Sequence, residues 1–282
     1  MKNIFVIGAG TMGLDIAQAF AAKGYSVKVR DISQEIIDAA HTKLEKKLNK
    51  LVEKGKMQRD AADKIIGNVV FTVNMQDASD ADLVLEAIVE RVDVKKSVFA
   101  ELDAICPENT VFATNTSSIS ITEIASAVKR TDKFIGMHFF NPADRMKLVE
   151  LIRGVHTSDE TFEAVKELSV NIGKEPVEVA EAPGFVVNRI LVPMINEAIY
   201  VYAEGIASVE DIDKAMQLGA NHPMGPLALA DFIGLDVCLA IMDTLYNETH
   251  DSKYRACPLL RKMVRGKKLG RKTGVGFYDY AK

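Results

Sequence analysis

The stretch from Ile4 to Gly13, IFVIGAGTMG, determines the fold class that the sequence predicts. Four apolar residues typical of a buried strand lead directly into a glycine-rich turn, and IAQAFAAKG continues with helical spacing. This order of strand, turn and helix begins the fold that binds dinucleotides. In such a fold Gly8 allows the tight turn, Gly10 lets the backbone approach a pyrophosphate, and Gly13 lets helix and strand pack closely.

The next strand supports this interpretation, since a glycine turn alone indicates no more than a flexible loop. SVKVRD ends in Asp31, whose carboxylate can accept hydrogen bonds from the adenosine ribose. Because Asp31 would repel a 2′-phosphate, NAD is favoured as the cofactor, although the adjacent Arg30 leaves NADP as an alternative. Further predicted strands are NVVFTV, DLVLEAI and TVFATN, separated by helical stretches. The sequence therefore predicts an α/β protein with a doubly wound, parallel Rossmann-type sheet.

A histidine and a glutamate face each other across a predicted turn. KFIGMHFF and KLVELIRG both show strand patterns, and NPADRM connects them. If the two strands pair as a hairpin, His138 and Glu150 lie close together. A carboxylate fixes the tautomer of such a histidine and stabilises its imidazolium, as a general acid or base requires. The alternative is a core histidine with a surface glutamate nearby.

Two further polar segments have both a functional and a structural interpretation. TNTSS, residues 114–118, follows a strand at the sheet edge that holds ligands in such folds, so Asn115 and Ser117 can offer hydrogen bonds there. It can equally be a polar turn that caps the next helix. Lys47, Lys50 and Lys54 lie three and four residues apart on one side of a long predicted helix. They form either an anion-binding surface or an ordinary solvated face.

Composition excludes several classes of protein. The chain has 282 residues, which is enough for two domains, and its net charge of −4 argues against nucleic-acid or membrane-surface partners. No apolar run approaches the roughly 20 residues of a membrane span, and no signal-peptide core is visible, so we expect a cytoplasmic protein. Cys106, Cys238 and Cys257 lack metal-ligand spacing, and we expect buried thiols with no disulfide or metal site.

The chain as a whole resembles the 3-hydroxyacyl-CoA dehydrogenases. The resemblance is carried, in order, by IGAGTMG, EAIVER, ATNTSSISITEIA, GMHFFNP, MKLVELI, EAPGFVVNRIL, GANHPMGPLALADFIGLD and GRKTGVGFYDY. It implies a dinucleotide-binding domain over residues 1–183 and a smaller all-α domain over residues 184–282, which contributes to the substrate site and to a homodimer or higher oligomer. It also implies hydride transfer between NAD and C3 of a short 3-hydroxyacyl-CoA, chiefly acetoacetyl-CoA reduction of the butyrate and butanol fermentation type.

The resemblance also assigns roles to individual residues. It implies that His138 is the catalytic acid and base, that Glu150 is its partner, and that Ser117 and Asn188 contact the substrate oxygen. The residues that it places around the cofactor, besides the glycine turn and Asp31, are Glu90, Lys95, Asn115, Asn141 and Lys272. Lys54, together with Lys50, is implied to meet the phosphates of coenzyme A.

Five positions depart from the pattern of that family: Leu14 and Asp15 after GTMG, Asp144 and Arg145 after HFFNP, and, as a lesser change, Ala230 in PLALADFIG. The Asp15 carboxylate repels a pyrophosphate if it points inward, and it complements the helix dipole if it points to solvent. We therefore expect these departures to affect cofactor affinity and acyl-chain preference.

Two other functions stay open at the level of sequence. One is a related β-hydroxyacid dehydrogenase that acts on a small acid, although such enzymes use a catalytic lysine instead of the pair His138 and Glu150. The other is a nucleotide-binding structural protein that descends from a dehydrogenase and has little turnover.

Overall fold

The apolar runs of the amino-terminal part form eight strands: Asn3–Ile7 (β1), Ser26–Arg30 (β2), Val69–Thr72 (β3), Leu83–Glu86 (β4), Val111–Thr114 (β5), Phe134–Phe139 (β6), Leu148–Arg153 (β7) and Glu175–Ala180 (β8). In the computed structural model, which describes residues 1–281, they make one sheet in the order β3-β2-β1-β4-β5-β6-β7-β8. Strands β1 to β6 are parallel, which confirms the predicted Rossmann-type sheet.

The sheet is mixed beyond β6, in agreement with the hairpin that the sequence predicts. Strand β7 runs antiparallel to β6 as the predicted hairpin, and β8 is parallel to β7. Strand β8 was not predicted, because EPVEVA contains two glutamates and a proline at its second position and is mostly exposed, as an edge strand is.

Six helices cover this sheet: Thr11–Ala21 (α1), Gln34–Glu53 (α2), Arg59–Gly67 (α3), Val92–Ile105 (α4), Ile121–Ala125 (α5) and Asp159–Asn171 (α6). Side chains of α1, α2, α3 and α6 share one core with the strand residues that point to the same face, such as Val6 and Ile135. Alternate strand residues point to the opposite face. There Phe99 of α4 contacts Phe112 and Phe134, with ring centroids 5.6 and 4.7 Å apart.

Helix α2 is the long insertion between β2 and β3. The Ser33 side chain caps it by accepting a hydrogen bond from the Ile36 N–H. Its residues Ile37, Ala40, Leu44 and Leu48 are buried at helical spacing against the sheet. Because one face is apolar, the lysines of α2 lie on its other sides.

The chain divides after Glu181, and the second unit begins at Ala182. Over residues 182–281, its α-helices are Val187–Ala203 (α7), Val209–Gly219 (α8), Pro226–Ile233 (α9), Leu235–Thr249 (α10) and Pro258–Arg265 (α11). They enclose a core of their own that includes Ile195, Leu227 and Leu245, all fully buried. The predicted class, a Rossmann-type sheet followed by a smaller helical part, is confirmed.

Candidate functional site

The glycine turn joins β1 to the N-terminus of α1. Gly8 has a φ of +100°, and a Cβ on Gly13 would lie 1.8 Å from the carbonyl oxygen of Gly8. Helix and strand therefore pack this closely only because both positions lack a side chain. Beside Gly10, in contrast, a Cβ would meet no atom within 4 Å. The open space lies where the N–H groups of a helix favour a pyrophosphate, so the turn fits NAD.

Asp31 at the end of β2 holds this turn. Its carboxylate accepts hydrogen bonds from the N–H groups of Ala9 and Ile32, both at 2.7 Å. The neighbouring Arg30 donates from Nε to the carbonyl oxygen of Val73, at 3.3 Å. The guanidinium of Arg30 is therefore engaged with the segment that follows β3.

His138 and Glu150 are directly opposite residues in the antiparallel pair of β6 and β7. The Nδ1 atom of His138 lies 2.8 Å from Oε2 of Glu150, and both side chains are buried. The predicted proximity is confirmed, because the eight residues 140–147 connect two strands that pair with His138 directly opposite Glu150. Phe140, on the same face of the chain as His138, contacts the imidazole with a centroid distance of 4.5 Å.

Glu90 organises the TNTSS turn. One of its carboxylate oxygens accepts hydrogen bonds from the Thr116 hydroxyl at 2.5 Å and from the Ser117 N–H at 2.9 Å, and the Ser117 hydroxyl lies 3.4 Å away. Its other oxygen is 3.1 Å from the ammonium of Lys95. Burial opposes ionisation of Glu90 most strongly, but Lys95 and these hydrogen bonds together hold its pKa below the usual value.

Lys95 is itself fully buried, with 1% of its side chain exposed. Its ammonium lies 2.6 Å from the carboxylate of Glu86, which is also buried and accepts hydrogen bonds from Thr114 and from the Ile88 N–H. A buried lysine is stable only when it is paired and hydrogen-bonded in this way. Glu86 and Lys95 therefore form a buried ion pair. The ammonium of Lys95 also contacts Glu90, which holds the turn that carries Ser117.

Asn115 and Asn141 lie at the same carboxyl edge of the sheet. The side-chain oxygen of Asn115, which follows β5, accepts a hydrogen bond from the Phe139 N–H at 2.8 Å. Asn115 thus ties the end of β5 to the end of β6, one residue beyond His138. Asn141 begins the turn that leaves β6, and its side chain is exposed.

Asp15 takes neither of the two orientations that the sequence suggested. Its carboxylate is buried and lies 2.7 Å from the ammonium of Lys47 on α2. The same ammonium is 3.0 Å from Asp144, whose side chain is 8% exposed. The departures at Asp15 and Asp144 are therefore joined by one lysine, and the expectation that Asp15 faces either a pyrophosphate or solvent is wrong.

The lysine side of α2 is divided by these contacts. Lys43 donates to the Thr11 hydroxyl at 3.1 Å, and Lys47 is engaged as described. Lys50, in the last turn of α2, and Lys54, the residue that caps its C-terminus, are exposed to solvent. Of the three lysines singled out in the sequence, Lys47 therefore belongs to an internal ion pair, while the other two stay available to an anion.

Asn188 and Lys272 belong to the second unit. Asn188 is in the first turn of α7, which begins at Val187. Lys272 forms an ion pair with Asp236 near the start of α10. Phe185, two residues before α7, has a φ of +51° although it is not glycine, and its side chain is buried. A left-handed backbone at such a residue is strained and sets the point from which α7 starts.

The three cysteines are buried, as expected. Burial raises the pKa of the Cys106 thiol to about 11 and that of Cys238 to about 12. Neither is therefore a thiolate nucleophile at neutral pH. Residues 1–281 contain no group of three or more His, Cys, Asp or Glu side chains placed to hold a metal, and none of their helices meets the length and hydropathy of a membrane span.

Three residues that shape this site were not predicted from the sequence: Glu86, Lys174 and Phe140. Glu86 carried a recognisable signal, a carboxylate at the end of the otherwise apolar strand LVLE. Lys174 carried none, because its ammonium donates to the carbonyl oxygens of Ala143 and Met146, which are distant in sequence. Phe140 follows His138 by two residues, the spacing that places strand residues on one face.

Comparison with known proteins identifies the family of the chain. The model of the 3-hydroxyacyl-CoA dehydrogenase NAD binding domain matches residues 3–182, and that of the C-terminal domain matches residues 184–280. A 3-hydroxybutyryl-CoA dehydrogenase of Clostridioides difficile is 59% identical over 280 residues, which is 99% of this chain and 100% of the relative. The human mitochondrial hydroxyacyl-coenzyme A dehydrogenase is 44% identical over 99% of this chain and 91% of its own length.

A solved structure shows the same fold over the whole chain. The crystal structure of (S)-3-hydroxybutyryl-CoA dehydrogenase from Ralstonia eutropha covers 100% of both chains with a TM-score of 0.96 and 48% identity. The paired His138 and Glu150, the glycine turn and the two matched domain models thus lead to one assignment. The chain belongs to the 3-hydroxyacyl-CoA dehydrogenase family and is an NAD-dependent oxidoreductase.

Proposed function

We propose that this enzyme transfers hydride reversibly between NAD and C3 of a short 3-hydroxyacyl-CoA, and that it mainly reduces acetoacetyl-CoA to 3-hydroxybutyryl-CoA, as in butyrate and butanol fermentation. The observation that carries the proposal is the buried pair of His138 and Glu150, 2.8 Å apart. Relatives named 3-hydroxybutyryl-CoA dehydrogenase, at 59% and 49% identity, support the choice of a four-carbon acyl group.

In reduction, His138 donates a proton to the substrate oxygen. Glu150 holds Nδ1 and stabilises the imidazolium, so Nε2 is the atom that exchanges the proton. NAD, when bound, supplies or accepts the hydride at C3. In oxidation the same imidazole removes the proton from the hydroxyl group.

Ser117 and Asn188 stabilise the negative charge that develops on the substrate oxygen. The Ser117 N–H donates a hydrogen bond of 2.9 Å to the Glu90 carboxylate. This contact supports the role because it fixes the turn that carries the Ser117 hydroxyl group. Asn188 lies in the first turn of α7. We expect these two residues to influence turnover more than substrate binding, since they act on charge that exists only in the transition state.

The cofactor site consists of the glycine turn, with Gly8, Gly10 and Gly13, and of side chains around it. Asp31 takes the ribose hydroxyl groups, and Arg30, engaged with Val73, is not directed to a 2′-phosphate, which supports NAD over NADP. The remaining residues that we place around the cofactor are Glu90, Lys95, Asn115, Asn141 and Lys272. Lys95 acts through Glu90, because its own side chain is buried.

Lys54 and Lys50 bind the phosphates of coenzyme A. Both are exposed to solvent at the C-terminal end of α2, where flexible cations can reach an anionic nucleotide. We further propose that the helical second unit makes the contacts of a homodimer. A β-hydroxyacid dehydrogenase that acts on a small acid does not need this cationic surface, because its substrate carries no nucleotide. The surface therefore favours a 3-hydroxyacyl-CoA dehydrogenase over that alternative.

The direct test is a steady-state assay with acetoacetyl-CoA and either NADH or NADPH. We expect turnover with NADH and a kcat/KM at least about tenfold lower with NADPH, the factor that corresponds to about 1.4 kcal/mol of like-charge repulsion at Asp31. Activity on a small hydroxy acid but not on the CoA ester would contradict the proposal. Absence of turnover with either cofactor would favour a nucleotide-binding structural protein.

A further inference from the structure

The ammonium of Lys47 joins three elements of the amino-terminal unit. It lies 2.7 Å from Asp15 of α1 and 3.0 Å from Asp144 in the turn between β6 and β7. The two carboxylates are 11% and 8% exposed, and the lysine is 25% exposed. Charges with so little access to water interact more strongly than surface pairs, and they resist screening by salt. We refer to Asp15, Lys47 and Asp144 as the Lys47 bridge.

Each end of the Lys47 bridge is attached to a part of the proposed site. Asp15 lies on α1, whose N-terminus adjoins the glycine turn of the cofactor site. Asp144 lies in the turn that directly follows the strand of His138. Lys47 itself is on α2, seven residues before Lys54, which caps the C-terminal end of the same helix.

Neighbouring contacts make the bridge a firm connection. One helical turn before Lys47, Lys43 donates to Thr11 of α1, so two successive turns of α2 are attached to α1. The turn that carries Asp144 is held from the other side by Lys174, which donates to the backbone oxygens of Ala143 and Met146. The Gln18 amide lies 3.4 Å from Asp144 and adds a contact between α1 and this turn.

We propose that the Lys47 bridge positions α2, so that Lys50 and Lys54 stand at a fixed distance from the catalytic histidine and the cofactor helix. The bridge makes Lys47 a positioning residue and leaves coenzyme A to the two exposed lysines. This inference rests on the proposed function, because it assumes that Lys54 meets the phosphates of coenzyme A. Its physical basis is preorganisation, since a helix that is already fixed loses less entropy when the ligand binds.

An alternative role for Lys47 predicts the opposite result. If Lys47 bound a phosphate of coenzyme A directly, the two carboxylates would compete with the ligand for it. The double variant Asp15→Asn/Asp144→Asn would then release the lysine and lower the KM for acetoacetyl-CoA. If the bridge positions α2, the same variant raises that KM, because the helix is no longer held.

The experiment compares KM and kcat of the double variant and of Lys47→Met with the unmodified enzyme, using acetoacetyl-CoA and acetoacetyl-N-acetylcysteamine, which lacks the nucleotide. We expect both variants to raise the KM for the CoA ester about fivefold or more, which corresponds to about 1 kcal/mol, with kcat and the KM of the truncated ester nearly unchanged. Lys47→Arg, which keeps a cation that reaches both carboxylates, should restore the KM to within about twofold.

Two further variants complete the design. Lys46→Met removes a positive charge from the exposed side of the same helix and controls for a general loss of charge. Lys54→Ala tests the proposed function separately. If the double variant does not fold, Asp144→Asn, in which Lys47 keeps Asp15, should give a smaller rise of KM in the same direction.

Each outcome decides the inference. A lower KM in the double variant overturns it, and so does an unchanged KM combined with a lower melting temperature, which would make the bridge a structural feature only. If Lys54→Ala raises the KM and the bridge variants do not, the inference alone fails. If Lys54→Ala also leaves the KM unchanged, the proposed coenzyme A contact fails and the inference fails with it.

Discussion

At the scale of single residues, Glu150 is the side chain on which the behaviour of His138 depends. Its carboxylate holds Nδ1 at 2.8 Å in a buried setting. We predict that Glu150→Gln lowers kcat by about 10²- to 10⁴-fold, because an amide can donate to Nδ1 and so favours the wrong tautomer. The KM for acetoacetyl-CoA should change little. Steady-state kinetics check this, and equal loss of kcat in the exposed-site control Glu175→Gln would contradict it.

Glu90 gives a prediction for acid stability. Its pKa in the folded protein lies below the ordinary value of 4.5, because Lys95 and the hydrogen bonds from Thr116 and Ser117 outweigh its burial. A carboxyl group with a lowered pKa stabilises the fold above its unfolded pKa, and this contribution disappears as the pH falls through the folded pKa. We therefore predict that Glu90→Gln is less stable than the unmodified enzyme at pH 7 and that the difference decreases below about pH 4.5.

Urea unfolding at several pH values between 7 and 3.5 measures this difference. The control is Glu163→Gln, since Glu163 forms an exposed pair with Lys166 one turn away on α6, where an ion pair contributes little. A stability difference that stays constant, or that increases on acidification, would show that the ionised form of Glu90 has no part in holding the Ser117 turn.

At the scale of elements, two glycines of the glycine turn have different functions. Gly13 allows α1 to pack closely on β1, and Gly10 leaves space for the pyrophosphate of the cofactor. Gly13→Ala should destabilise the fold by about 1–3 kcal/mol or more, because its Cβ would lie 1.8 Å from a backbone oxygen and the packing of α1 on β1 would have to change. Gly10→Ala should leave the melting temperature nearly unchanged, since no atom lies within 4 Å of the added Cβ. It should nevertheless weaken NADH binding, because the methyl group projects into the space proposed for the pyrophosphate.

Thermal unfolding and NADH titration of both variants test this separation. The two glycines lie three residues apart, so each variant serves as the matched control for the other. If Gly10→Ala binds NADH normally and remains stable, the cofactor phosphates do not pass over this part of the turn.

Local patterns in the sequence were enough for elements whose partners are near in sequence. The strand, turn and helix at Ile4 to Gly13 and the hairpin that pairs His138 with Glu150 were predicted because alternation and turn residues specify them. The Lys47 bridge was not, because its partners lie on different elements, 32 residues apart for Asp15 and Lys47. Such a contact depends on how helices pack, which periodicity does not report. Edge strand β8 was missed because it has one polar side.

At the scale of the whole molecule, the chain consists of two units with separate cores. In the second unit, the segment GVGFYDY, residues 274–280, packs against α9. The buried carboxylate of Asp231 accepts hydrogen bonds from the N–H groups of Phe277 and Tyr278, both at 2.9 Å. A Cβ on Gly276 would lie 1.9 Å from the same carboxylate. The segment GVGFYDY therefore has a specific docking site on α9.

We predict that Asp231→Asn destabilises the second unit by about 1–3 kcal/mol, because the amide group cannot accept both backbone hydrogen bonds and leaves one N–H without a partner. Hydrogen exchange should show faster exchange at Phe277 and Tyr278 than in the unmodified enzyme, with the strands of the first unit unaffected. The control is Asp279→Asn, because the exposed Asp279 does not accept the hydrogen bonds from the Phe277 and Tyr278 N–H groups. Equal protection in both variants would contradict the docking role.

The central claim is that His138, held by Glu150, exchanges the proton of the reaction. The measurement that tests it most directly is the kcat of His138→Gln with NADH and saturating acetoacetyl-CoA, combined with a fluorescence titration of NADH and with His156→Gln, an exposed histidine, as control. We predict that kcat falls by about 10²- to 10⁴-fold in His138→Gln, while the NADH affinity of this variant and the kcat of His156→Gln stay nearly unchanged. A kcat for His138→Gln close to that of the unmodified enzyme would contradict it.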